Sequence, residues 1–243
     1  MVEPNTRLEE PIGATQSAAS LVNLRDLGGM PTTDGTTTAH GVLYRSDAPY
    51  PRDETPSTVP VWPPAAVLDL RAQVERDDVG HEWDQGSKLY HWPLYDRAAP
   101  ISRDAPNLVD LYRNILEAVP HRVAAVVDVA ATAEAPLLVH CAAGKDRTGI
   151  TVAALLLAAD VQPDAVMDDY LATAANMTAL RNRWEAKGRN ITVAEAWLLT
   201  PQDAIEFVLD EFLSWRGGPI GWLTDHGARP AAIDAWRSQI RPS

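Results

Sequence analysis

The chain has 243 residues, 46% of them hydrophobic and 22% charged, with a formal net charge of −12. That apolar share supports a packed core and argues against wholesale disorder. The negative balance argues against nucleic acid or an anionic membrane surface as a partner held by general charge. Cys141 is the one cysteine, which excludes an internal disulfide framework and any multi-cysteine metal or iron–sulfur site. The six histidines are scattered without a His-x-x-x-His spacing, so neither a metal nor another cofactor is expected.

Residues 1–20 read as a flexible arm. They lack the basic start and apolar centre of a signal peptide. The longest apolar run, 150–159, is half the length needed to span a bilayer and reads as a buried helix, so no integral membrane segment is expected. The cytoplasm is the expected location, with signal-independent secretion left open. Order begins at 21–30 and ends there in the turn Gly28-Gly29. Residues 41–45 alternate apolar side chains with β-formers and predict a strand. Residues 49–64 hold six prolines in sixteen positions and predict a surface loop. Residues 66–70 and 88–92 are short strand candidates.

Helical periodicity follows at 107–119, where Leu108, Leu111, Tyr112, Ile115 and Val119 share a face, and again at 121–131. The apolar run 137–140 predicts a buried strand. It leads through a loop at 141–149 into the helix at 150–159. Pro163 stands near the start of a helix running to about Asn176. Thr200-Pro201-Gln202-Asp203 predicts a helix start, with a capping hydroxyl, proline at the first helical position and an acid in the first turn. Gly217-Gly218 ends that helix, and two further helices are expected at 221–227 and 229–240. Strands alternating with helices, then a helical C-terminal half, give an α/β class. The domain expectation is one unit over 21–243 with a helical insertion around 160–217.

Chemistry concentrates in His140-Cys141-Ala142-Ala143-Gly144-Lys145-Asp146-Arg147-Thr148-Gly149. A cysteine and an arginine six positions apart carry little information alone. Here a loop joins a predicted strand to a predicted helix, with glycine in mid-loop and Thr-Gly after the arginine. Such a loop can turn the N–H groups of Ala142, Ala143, Gly144, Lys145, Asp146 and Arg147 toward a phosphate, aided by the helix N-terminus. Arg147 offers two oxygens a bidentate hold. The same field favours a thiolate at Cys141, a nucleophile, and Thr148 is placed to hydrogen-bond the sulfur. His140 is expected to orient the loop. The bland alternative, a lone buried cysteine acting as a small hydrophobe, does not account for these flanking residues.

At these residues the sequence resembles the cysteine-dependent protein tyrosine phosphatase superfamily, and within it the atypical bacterial phosphatases of the PtpB type. Asn23-Leu24-Arg25-Asp26-Leu27-Gly28-Gly29, Leu43-Tyr44-Arg45-Ser46 and Val67-Leu68-Asp69-Leu70-Arg71 resemble further motifs of that group in order, and Gly217 to Gly227 resembles its closing helices. The resemblance covers roughly 21–240. It implies a central, mostly parallel sheet flanked by helices, with a helical lid or subdomain in the C-terminal half. It implies a phosphorylated protein or phosphoinositide as substrate, and phosphate or another oxyanion in the active-site loop. Arg25 and Asp26 are expected to brace that loop.

In the superfamily an aspartate upstream of the cysteine protonates the leaving oxygen. Asp96, in His91-Trp92-Pro93-Leu94-Tyr95-Asp96, is the first candidate, although it stands two positions later than the usual Trp-Pro-Asp pattern. Asp146, inside the loop, is the rival. Lys145 adds positive charge beyond the needs of one monoester. Lipid phosphatases whose loop reads Cys-Lys-Ala-Gly-Lys carry two lysines, where this chain keeps the second and has Ala142 for the first. Phosphotyrosine and phosphoinositide therefore both stay open. The other readings are a rhodanese-like sulfurtransferase, an arsenate reductase, which needs more cysteines, and a non-catalytic phosphate-binding module.

Overall fold

The structure, a computed structural model, describes residues 20–83, 86–94, 105–189 and 195–241. Its strands are β1 (Arg25–Asp26), β2 (Leu43–Ser46), β3 (Ala66–Asp69), β4 (Lys88–His91) and β5 (Leu137–His140), in the sheet order β1-β2-β5-β3-β4. β1 runs antiparallel to β2, and every other pairing is parallel. β2, β3 and β5 are buried along their whole length. That is the burial expected of central parallel strands covered on both faces, whose sequences run apolar rather than alternate. β5 is the middle strand. In register, His140 lies beside Ser46 of β2 and Asp69 of β3, so the residues after these three strand ends meet at one edge of the sheet.

The helices are α1 (Gln73–Val79), α2 (Leu108–Ala118), α3 (Pro120–Ala124), α4 (Val126–Ala130), α5 (Asp146–Ala158), α6 (Pro163–Ala172), α7 (Met177–Ala186), α8 (Gln202–Ser214), α9 (Gly218–Asp225) and α10 (Pro230–Ile240). Short 3₁₀ turns occupy Thr173–Asn176 and Glu195–Leu198. Every residue of α5 after Asp146 is buried. A helix apolar on all sides needs neighbours on all sides, and α4, α6, α8, α9 and α10 supply them. The indole N–H of Trp236 on α10 donates to the Leu155 carbonyl at 2.8 Å. Among the described residues no helix is long and apolar enough to cross a membrane.

Several chain-order expectations change: α6 stops at Ala172 and a 3₁₀ turn covers Thr173–Asn176, α7 follows as a separate helix, and α8 ends at Ser214, so Gly217-Gly218 opens α9, which covers Gly218–Asp225 where 221–227 was expected. The helix expected at 150–159 begins at Asp146, so the loop closes after Lys145. The helix expected at 121–131 is two short ones, α3 and α4, meeting at Ala125. Pro201 is the residue before the first turn of α8 rather than the first helical residue, and no side chain caps it. α1 was not foreseen, since Gln73–Val79 has no buried residue and hence no apolar stripe. α2 stops where expected because Val119 precedes Pro120, and a residue before proline avoids the helical region.

Candidate active site

Cys141 follows β5 directly and is 2% exposed. The next four residues carry the chain to the first turn of α5. Gly144 turns the backbone at φ +68°, and a Cβ there would stand 2.3 Å from the Ser46 carbonyl oxygen. Only glycine fits that conformation and that approach.

The carbonyls of Ala142, Ala143 and Gly144 are each held by groups outside the loop. Ala142 O accepts from the Ala48 N–H at 3.1 Å. Asn23 Nδ2 donates to Ala143 O at 3.1 Å and to Gly144 O at 3.2 Å. Arg45 Nη2 donates to Gly144 O at 2.7 Å. The N–H groups of Ala142 through Arg147 meet no acceptor among the described residues. Six successive amides without an acceptor, between a cysteine and the first turn of a helix, are placed to make an anion cradle.

The brace behind the loop is ionic. Asn23 Oδ1 accepts from Arg25 Nη1 at 2.6 Å and from Asn176 Nδ2 at 3.1 Å, which fixes its amide with Nδ2 toward the loop. Asp47 holds the Asn23 backbone N–H at 2.9 Å and receives Arg183 Nε at 3.0 Å. Asp169 of α6 pairs with both Arg25 and Arg45. Burial pushes the Asp169 carboxyl up, but the two guanidiniums outweigh it and hold it below the usual range. Burial lowers Arg25 to about 10, with Arg45 beside it adding to the fall. Arg25 thus braces the loop as expected. Asp26 does not: it accepts from the Gly28 and Gly41 N–H groups and holds the glycine turn.

Arg147, in the first turn of α5, is clasped end-on by Glu75 of α1. Nη1 to Oε2 is 2.6 Å and Nη2 to Oε1 is 2.8 Å. The side fork of Nε and Nη2 makes no further hydrogen bond among the described residues, and that edge suits two phosphate oxygens. Burial opposes the charge on Arg147, yet Glu75 and Cys141 more than offset it and raise its pKa. Glu75 shows the converse: burial raises it, Arg147 outweighs burial, and it lies below the ordinary carboxylate range. Glu75 also accepts the Ala72 N–H at 2.9 Å. Sequence reading missed Glu75, although an acid six residues past the end of β3, placed to cap a helix at its third position, was a usable signal.

Of the other expected residues, Lys145 takes a different place. Its Nζ donates to the carbonyls of Trp197 and Leu199, each at 2.7 Å, and lies 3.4 Å from Asp146 Oδ1. Asp146 Oδ1 accepts from the Tyr112 hydroxyl at 2.8 Å, and Tyr112 is hydrogen-bonded to Tyr170 at 2.8 Å. Thr148 is buried, and its hydroxyl makes no hydrogen bond among the described residues, so the expected bond to the Cys141 sulfur is not formed. Burial lowers His140 to about 4 against the pull of Asp69, so it is neutral at pH 7, and its Nδ1 sits 3.3 Å from Cys141 O. That fits an orienting role. Asp69 pairs with Arg71 at 2.7 Å rather than with the loop. Asp96 lies outside the described residues. Among the described residues no three His, Cys, Asp or Glu side chains converge to hold a metal.

A profile described as the tyrosine phosphatase family matches residues 17–241. The chain belongs to that family. Within it, 71 residues are 39% identical to the triple specificity protein phosphatase PtpB of Mycobacterium tuberculosis (strain ATCC 25618 / H37Rv). The alignment covers 29% of this chain and 24% of that relative, so the chain spans about a quarter of the relative it matches. The parallel sheet, the strand–loop–helix site and the profile agree on an α/β phosphatase fold.

Proposed function

We propose that the chain is a cysteine-dependent phosphomonoester hydrolase acting on tyrosine phosphate in proteins. The observation that carries the reading is the run of amides without an acceptor among the described residues, Ala142 to Arg147, between a buried Cys141 and an Arg147 clasped by Glu75. In this reading the Cys141 sulfur attacks phosphorus, an S–P bond forms, and the P–O bond to the leaving group breaks. A carboxylic acid protonates the leaving oxygen, Asp96 in the first instance and Asp146 as its rival. Water then attacks phosphorus, the same carboxylate takes its proton, and the S–P bond breaks to return the thiolate. The loop amides and the free edge of Arg147 meet the charge that spreads over the equatorial oxygens, and this is where stabilisation is worth most. Residues 21–243 work as one catalytic unit, with the helices around 160–217 bracing the loop through Asp169 and through the carbonyls that bind Lys145. The cytoplasm is the location carried with this proposal.

Phosphotyrosine is favoured over phosphoinositide because the Lys145 amine is already engaged by protein. The test is phosphate release from a phosphotyrosine peptide, a phosphoserine peptide and a soluble phosphoinositide, with Cys141→Ser as blank. Release confined to the wild type, ranked by kcat/KM with the tyrosine peptide first, supports the proposal. Vanadate binding without release from any of the three would make the chain a binding module.

A further inference from the structure

Lys145 carries three N–H donors. Two are spent on the carbonyls of Trp197 and Leu199, 52 and 54 residues further on, and the third faces Asp146 Oδ1 at 3.4 Å. Its side chain is 2% exposed. An ammonium so placed has no donor to give a substrate. What it does hold is the segment around the 3₁₀ turn Glu195–Leu198. Leu198 of that turn and Ala143 of the phosphate loop pack against one shared cluster of Val22, Tyr50, Met177, Leu180 and Trp184. Trp197 packs against the main core. The lysine stem reaches about 6 Å by ordinary bond lengths, so the segment runs close beside the loop.

We propose that Lys145 is a positioning residue: it fastens residues 195–199 beside the phosphate loop and thereby restricts the site to slender esters. The sign of its effect is then opposite to that of a phosphate ligand. Losing a ligand weakens multiply phosphorylated substrates most. Losing a fastener admits them. The inference rests on the phosphatase reading, which the Cys141→Ser blank tests separately, because it compares two rates that both depend on Cys141.

The experiment compares kcat/KM for a soluble phosphoinositide with that for a phosphotyrosine peptide in wild type and Lys145→Met, which keeps the stem and removes the donors. The phosphoinositide-to-peptide ratio should rise several-fold, about threefold or more, and amide exchange at 195–199 should speed up by roughly tenfold while α5 keeps its protection. Lys145→Arg, which retains donors, should restore most of the protection. Leu198→Gly loosens the same segment with the lysine intact. It should raise the ratio likewise, and the double variant should add little to either single one. A ratio that falls in Lys145→Met, with exchange at 195–199 unchanged, makes Lys145 a phosphate ligand and overturns the proposal. Should Lys145→Met fail to fold, an unchanged or lower ratio in Leu198→Gly overturns it equally.

Discussion

Glu75 and Arg147, 72 residues apart, meet through two parallel hydrogen bonds of 2.6 and 2.8 Å. The pair, with a longer bond from Nη1 to the Leu70 carbonyl at 3.4 Å, aims the remaining edge of the guanidinium. Glu75→Gln keeps the shape but loses the charge and one acceptor. We expect kcat/KM on an aryl phosphate to fall between about 10-fold and 100-fold, the scale at which misplaced groups cost rate, with vanadate binding weakened in step. A Glu75→Gln protein with wild-type kcat/KM would show that Arg147 is aimed by something else.

Two nearby groups make stability fall in acid. His140 is raised in charge only at a cost: its folded pKa of about 4 lies below the ordinary 6.5, chiefly through burial. The unfolded chain therefore binds its proton first. Stability is full above about pH 6.5, declines as pH falls through that value, and has lost up to about 3 kcal/mol from this group near pH 4. Asp69, Arg71, His81 and the Cys141 carbonyl are the groups that face it. Glu75, held low by Arg147, adds a loss of the same sign below about pH 4.5. Urea midpoints at pH 7, 5.5 and 4.5 should descend in wild type and descend less in His140→Asn. Parallel lines for the two proteins would remove His140 from the account.

Asp169 neutralises Arg25 and Arg45 from a side chain 7% exposed. Asp169→Asn leaves the buried Arg45 guanidinium facing the part-buried Arg25, and unpairing a buried ion costs roughly 3–5 kcal/mol. We expect the loss in urea melts at the lower end of that range, together with weaker vanadate binding because Arg45 also holds Gly144 O. An Asp169→Asn protein as stable as wild type would mean that the two arginines find other partners.

Gly144→Ala meets both a positive φ and a 2.3 Å contact with Ser46 O. Overpacking of this kind costs about 1–3 kcal/mol. The strain falls on the cradle itself. Oxyanion binding, read by vanadate inhibition, should be lost before the thermal transition is.

The proton donor separates by substitution. Asp96→Asn should lower turnover at least about a hundredfold if Asp96 protonates the leaving oxygen, while a leaving group of low pKa should escape most of the loss. If Asp146→Asn shows that leaving-group dependence instead, the role belongs to Asp146. Tyr112→Phe should then change the pH profile, because Tyr112 holds Asp146 Oδ1.

The parts of this site that could be read from sequence are the parts that are local. Cys141 through Arg147 lie on consecutive residues, and the strand before and helix after them announce themselves by an apolar run and its continuation. β2, β3, β4 and β5 were legible for the same reason. What escaped was every contact made at a distance through an unmarked group. Lys145 invited a phosphate because lysines do, yet besides Asp146 its partners are two backbone carbonyls, which no residue type signals. Glu75 sits in a short exposed helix with no apolar stripe. The helix start at Asp146 was set four residues late, because the apolar pattern begins at Ile150 whereas the backbone bends into helix as soon as the cradle is complete. Asn23 belonged to a quoted motif, but its grip on Ala143 and Gly144 spans 120 and 121 positions.

That last separation bears on how activity is regained after unfolding. The carbonyls of Ala142, Ala143 and Gly144 are held by Asn23, Arg45 and Ala48, all more than 90 positions ahead of the loop. Closures of that span come late and cost the most chain entropy. A partly refolded chain with native helices would still present its amides at random. Hydrolysis during refolding should thus lag helical circular dichroism and follow the last cooperative step, which makes turnover a counter of completely assembled molecules.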